Sequence, residues 1–294
     1  MDKLKIGKFL HYKGNYILFS IVLIALIGSG FYFSHHTSGQ VQIPKHVSLK
    51  YGPDSKQSLD LYAPAVNRSK KLPVIIYVHG GGWSGGDKSN VAEKPAFFTN
   101  NGYVFISINH RLSPKVSYVD MADDVAESVK WVYDNAAKYQ IDRRKLNLMG
   151  HSSGGHLVML IGTNPAYLNR VGLSPQSINS IISLEGPLDL TAFIQRMGSY
   201  KKVFGNDQKV WAEASPVTYA SNKKLPPMFL VAHGNGSIAS FVDQAKGSGN
   251  TIESFSVQTL THSGVTAVLG ASNASDEAKK MTNAVSAFLK KYNP

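Results

Sequence analysis

The sequence predicts an α/β fold, a mostly parallel central sheet flanked by helices on both faces. Two observations carry that reading. Continuous apolar runs such as Pro73–His79 (PVIIYVH) and Val104–Ile108 have no polar alternation, which marks strands buried on both sides. Between such runs lie segments with helical spacing, and strands alternating with helices build a sheet covered on both faces.

The elements follow in order. Val47–Tyr51 and Ser58–Tyr62 read as a paired hairpin, the second alternating Leu59 and Leu61 with Asp60 and Tyr62. A helix is expected around Ala92–Asn100, stopped by Asn101-Gly102. From Tyr118 to Tyr139, Ala122, Val125, Val129, Val132 and Tyr133 share one face, which predicts a long amphipathic helix. Lys145–Met149 is the next strand, and a helix begins at Gly154–Leu160. Ile178–Leu184, Pro227–Ala232 and Ile252–Gln258 are further strands, and Ser275–Tyr292 closes the chain as a lysine-rich amphipathic helix. Leu188–Ser221 breaks the rhythm with short segments and is expected to be a small cap insertion.

The N-terminal region reads differently. Tyr16–Phe33 is apolar and uncharged, and follows Lys3, Lys5, Lys8 and Lys13. It lies at the short end of the roughly 17–25 residues that span a bilayer. The preceding positive charge keeps the N-terminus in the cytoplasm and sends the rest across. No A-x-A site follows and there is no cysteine for lipid attachment, so an anchor is expected rather than a cleaved signal, which would release a secreted protein. The expected division is therefore 1–36 anchor or signal, 37–45 tether and 46–294 folded domain, with the cap at about 188–221. The net charge of +12 is scattered beyond that start and no nucleic-acid motif accompanies it, so a cationic solvated surface is expected and a nucleic-acid partner is not.

Two motifs carry chemistry. Gly150-His151-Ser152-Ser153-Gly154 is a G-x-S-x-G between an apolar strand and an apolar helix. That setting puts Ser152 on a sharp, strained turn, with glycines on either side letting neighbouring backbones approach. His79-Gly80-Gly81-Gly82-Trp83 directly follows a buried strand. No P-loop lysine-serine pair and no G-x-G-x-x-G helix opening accompany it. Its glycines free the N–H groups of Gly81 and Gly82, which with that of Ser153 would form an oxyanion hole.

Together HGGGW, the NHRLSP of Asn109–Pro114, GHSSGGH and a late histidine resemble the α/β-hydrolase superfamily, in its esterase, lipase and aryl-formamidase branch related to hormone-sensitive lipase. The resemblance runs from about Val47 to the C-terminus. It implies an α/β-hydrolase fold and a serine hydrolase cleaving small-molecule carboxylic esters without metal or organic cofactor. Ser152 would be the nucleophile, Gly81, Gly82 and Ser153 the oxyanion donors, and His262, just past the last strand, the general base. His233 merely ends a strand. The family's acid follows an H-G-x-x-D pattern, where this chain has His233-Gly234-Asn235-Gly236-Ser237. Three explanations stay open: Glu185 at the end of the sixth strand, the favoured one; Asp243, inside the following helix; or loss of the acid, leaving an impaired binding protein. An amidase or formamidase is the alternative among enzymes.

Overall fold

The computed structural model of the chain describes residues 45–65, 70–234 and 236–294. The apolar segment 16–33 and the tether up to residue 44 lie outside the described residues. Among those described, no helix is long and apolar enough to cross a membrane.

Among the described residues eight strands form one sheet: β1 (Lys45–Lys50), β2 (Ser58–Ala63), β3 (Leu72–Val78), β4 (Val104–Ile108), β5 (Ile141–His151), β6 (Ser180–Leu184), β7 (Met228–His233) and β8 (Ile252–Val257). Their spatial order is β1-β2-β4-β3-β5-β6-β7-β8. The β1–β2 and β2–β4 pairs are antiparallel and every later pair is parallel. Because β4 lies on one side of β3 and β5 on the other, the chain reverses its direction of winding between β3 and β5. The crevice outside the C-terminal ends of strands at such a switch point is where open α/β sheets bind ligands.

Among the described residues ten α-helices connect or cover the strands: α1 (Lys94–Asn100), α2 (Tyr118–Asn135), α3 (Ser153–Thr163), α4 (Pro165–Arg170), α5 (Leu190–Arg196), α6 (Lys201–Phe204), α7 (Gln208–Glu213), α8 (Ala239–Gly247), α9 (His262–Ala267) and α10 (Asp276–Tyr292). The unbroken apolar strands are explained by the two cores they separate. Val74, Ile76 and Val78 of β3 face one core with α2, α3 and α8. Ile75 and Tyr77 face the other, shared with α1, α9 and α10.

Two boundaries differ from the sequence expectation. The helix from Tyr118 stops at Asn135, whose side-chain N–H₂ donates back to the Trp131 carbonyl at 2.9 Å, and Gln140 turns the chain with φ 57. Strand β5 begins at Ile141 rather than Lys145, because Ile141 pairs with Leu72 across an irregularity in the ladder. The polar Asp142-Arg143-Arg144 between them hides that start from any hydrophobic pattern. Between β6 and β7 the chain leaves the sheet to form α5, α6 and α7, where the sequence suggested a cap.

Candidate active site

Ser152 stands between β5 and α3 with φ 53 and ψ −120, a left-handed conformation that a serine adopts only when its surroundings impose it. The imposing contacts are backbone. A Cβ on Gly150 would come within 2.3 Å of the Gly154 oxygen, and one on Gly154 within 2.2 Å of the Val78 oxygen. Only glycine lets α3 start this close to β3, and the turn pushes the Ser152 side chain outward. The Ser152 N–H donates to the Leu184 carbonyl at 2.9 Å, tying the turn to the end of β6.

The His262 ring lies beside it, with Nε2 2.9 Å from Ser152 Oγ and Nδ1 2.7 Å from Glu185 Oε2. Glu185 follows β6 directly and also has a positive φ, 59. Its N–H donates to the Val231 carbonyl at 2.8 Å, and its side chain is 8% exposed. Oε1 accepts the backbone N–H of His233 at 2.9 Å and faces His233 Nδ1 as well. Burial acts to raise the Glu185 carboxyl, but the hydrogen bonds and charges of His262 and His233 outweigh it and hold it below the ordinary carboxylate value. The pair of contacts on His262 is what a general base needs: a donor N–H fixed on a carboxylate and a lone pair aimed at a hydroxyl. Asp243, by contrast, lies exposed on α8 and makes no contact with His262.

His262 is the first residue of α9, and several groups hold that short helix. Thr261 Oγ1 accepts the Gly264 N–H at 3.0 Å, capping its start. His151 Nε2–H donates to the His262 carbonyl at 2.8 Å, and burial keeps that ring neutral by lowering it to about 4. At the other end Lys94, 1% exposed, donates from Nζ to the Thr266 carbonyl at 2.6 Å, while Tyr77 pairs its hydroxyl with Thr266 Oγ1 at 2.8 Å. Desolvation pushes the Lys94 ammonium down to about 7.

The glycine loop lies against the serine turn: a Cβ on Gly80 would sit 3.1 Å from Ser152 Cβ. Gly81 and Gly82 have φ 141 and 59, and their N–H groups take no acceptor among the described residues. Ser153 opens α3, so its N–H is also without an intrahelical partner. These three donors can receive an oxygen that carries developing negative charge. Asn109 braces the loop: its Oδ1 accepts the Lys88 N–H at 2.6 Å, and Nδ2 donates to Asp87 at 2.9 Å.

Trp83 links this loop to the segment between β6 and β7. Its Nε1–H donates to His156 Nδ1 at 3.1 Å, and its ring packs edge-on against Tyr200 and Phe204 at 5.2 and 4.9 Å. A cavity of about 760 Å³ is lined by Ser152 and His262 together with Trp83, Phe193, Tyr200 and Phe241. Among the described residues no group of acidic, histidine or cysteine side chains could hold a metal ion.

Of the residues singled out from sequence, Ser152, His262 and Glu185 are brought into one hydrogen-bonded line, and Gly81, Gly82 and Ser153 border it. His233 and Lys94 were missed as site residues. The second is the first residue of α1, a common place for a polar side chain, and nothing local marked it. The first stands at the histidine of the H-G-x-x-D pattern, a local signal that pointed to the acid rather than to the ring.

A family model described as BD-FAE matches residues 59–246. Esterase LipC of Mycobacterium tuberculosis is 28% identical over 214 residues, covering 67% of this chain and 52% of that protein. The probable isoprenylcysteine alpha-carbonyl methylesterase ICMEL1 of Arabidopsis thaliana is 25% identical, over 70% of this chain and 47% of its own length. The chain thus spans about half the length of these curated relatives. Among solved structures, Thermogutta terrifontis esterase 2 phosphonylated by sarin superposes with a TM-score of 0.71 at 21% identity, covering 85% of this chain and 96% of that one. A truncated carbohydrate esterase from gut microbiota gives 0.69 at 20% identity, covering 85% and 98%. The sheet and its flanking helices are those of the α/β-hydrolase fold.

Proposed function

The chain belongs to the BD-FAE family, and from that premise we propose that it is a serine hydrolase of carboxylic esters working through an acyl-enzyme. The observation that carries the proposal is the unbroken line from Ser152 Oγ through His262 to Glu185, at 2.9 and 2.7 Å. In this reading Glu185 holds the His262 Nδ1–H, so Nε2 presents its lone pair to the Ser152 hydroxyl. Ser152 Oγ attacks the ester carbonyl while Nε2 takes its proton. The N–H groups of Gly81, Gly82 and Ser153 receive the oxyanion. Protonated His262 then gives its proton to the departing alcohol, and a water activated by the same histidine releases the acid. The reading as a binding protein rests on a missing carboxylate, and Glu185 beside His262 supports the hydrolase instead. The aromatic walls of the cavity favour an ester with an apolar or aromatic group on one side of the carbonyl.

A fluorophosphonate probe tests the proposal on the full chain. It should label Ser152, and Ser152→Ala should abolish both labelling and hydrolysis of p-nitrophenyl esters. Labelling that persists in that variant sinks the assignment.

For location, the lysine-flanked stretch 16–33 supports an N-terminal anchor with the hydrolase domain across the membrane. Membrane fractions should hold the full-length protein, with the domain digested by protease added outside. A full-length form confined to the cytoplasm refutes the anchor, and a shortened exported form favours a cleaved signal.

A further inference from the structure

His233 lies across Glu185 from His262, and the reaction above gives it no task. Its surroundings fix its protonation state. Nδ1 faces Glu185 Oε1, an oxygen that already accepts the His233 backbone N–H at 2.9 Å. Nε2 lies 2.5 Å from the Leu260 carbonyl oxygen. A carbonyl has no proton to give. Glu185 has none either, since its second oxygen takes His262 Nδ1 and these contacts keep the carboxyl ionised. Both ring nitrogens of His233 must therefore donate, and a neutral imidazole carries only one N–H. The ring satisfies both contacts only as the imidazolium.

The charged groups around it agree. Glu185 faces it from the end of β6. Glu277, in the first turn of α10, accepts the N–H groups of Gln258, Thr259 and Leu260 and so pins the loop that presents the Leu260 carbonyl. Burial acts to lower the ring, but the bonds to Glu185 and Leu260 and the charges of Glu185 and Glu277 raise it above the ordinary histidine value.

We propose that His233 is a positioning residue for the acyl-transfer reaction: as an imidazolium it clamps Glu185 Oε1 to the loop before His262, so that Oε2 stays on His262, and losing its proton loosens the site. The proposal rests on Glu185 being the orienting carboxylate. Without its second proton, His233 turns a lone pair toward an oxygen at one end or the other. If toward Glu185, the carboxylate is repelled from the position in which it meets His262. If toward Leu260, the loop two residues before His262 is released. Either way the base loses its alignment above the pH at which His233 deprotonates.

The test uses the full chain and p-nitrophenyl acetate, with kcat and KM followed between about pH 5 and 10. Wild type should show an alkaline limb from His233. His233→Gln keeps one donor for Glu185 and cannot titrate. It should fold normally, keep KM, lower kcat about tenfold as one charge-assisted bond is lost, and show no alkaline limb. Proton–nitrogen spectra of histidine-labelled protein, with His233 assigned by its absence in His233→Gln, should show both ring nitrogens protonated at neutral pH. An alkaline limb that persists in His233→Gln, a kcat within twofold of wild type, or a neutral His233 ring each overturns the proposal. Glu185→Gln, run alongside, separates the two failures. If that variant is fully active, the assignment of the carboxylate fails and the clamp falls with it. If it is inactive while His233→Gln is unimpaired, only the clamp fails.

Discussion

Replacing Glu185 with glutamine changes one atom of the side chain, yet the surroundings of that side chain make the change severe. An amide has one oxygen and one N–H₂, where the carboxylate had two acceptors. Glu185 Oε1 accepts the backbone N–H of His233, a donor that no change of protonation can remove. The amide oxygen must go to that side, because an N–H₂ there would meet an N–H. The N–H₂ then points at His262 Nδ1, which can only accept it. That forces the proton onto His262 Nε2, the nitrogen 2.9 Å from Ser152 Oγ. The base now offers a donor where the reaction needs a lone pair. In serine proteases the equivalent wrong tautomer costs about 10⁴ in kcat. We expect a fall of about 10³–10⁴, or about 4–5.5 kcal/mol in the barrier. KM should change little, since Glu185 orients the base rather than the ester. Initial rates on p-nitrophenyl butyrate near neutral pH, the rate of fluorophosphonate labelling and circular dichroism to check the fold are sufficient. A correctly folded Glu185→Gln enzyme within tenfold of wild type would refute the tautomer argument.

Asp243→Asn should leave kcat within twofold, since that exposed carboxylate on α8 touches neither catalytic partner, and the same ester assay checks it. Gly81→Ala should lower kcat by about 10²-fold or more, because the new Cβ would lie 2.1 Å from the Gly85 oxygen and displace an oxyanion donor; near-normal turnover would exclude that loop from the reaction. Lys94 predicts a pH effect on stability. Its folded value of about 7 lies below the roughly 10.4 of an unfolded lysine. Between those values the unfolded chain binds the proton and the folded chain does not, so stability should rise with pH, by at most about 1.4 kcal/mol per unit. Urea unfolding across that window should show the rise in wild type and a flatter profile in Lys94→Met.

What the sequence made legible were the features whose cause is local. Buried strands such as Val104–Ile108 are apolar at every position because both faces are covered, and the serine turn needs its glycines in fixed places. The polar start of β5 is different: Ile141 joins the sheet only because Leu72 lies opposite. The short cap helices carry too few residues to show a period, and their order comes from packing on Trp83, far away in sequence. His233 and Lys94 act through partners 48 and 172 residues distant, so no window along the chain contains their reason.

In the proposed reading the position of the acid follows from the sheet. His262 needs a carboxylate on Nδ1, and that requirement does not specify a strand. β6 and β7 are parallel neighbours with Leu184 opposite Val231, so their C-terminal ends open onto the same space. The Glu185 N–H bonded to Val231 and the Ser152 N–H bonded to Leu184 knit the ends of β5, β6 and β7 into one ledge. On that ledge Glu185 begins one strand farther from β8 than a residue after β7 would. The extra methylene of a glutamate spans part of that distance. Gly186 fixes the departure point, since a Cβ there would lie 2.5 Å from the Gly155 backbone carbon and drive the turn off α3. In the proposed reading the end of β7 presents His233 rather than an acid. If Glu185 is the acid, as proposed, it is met from the end of β7 by the backbone N–H and ring of His233.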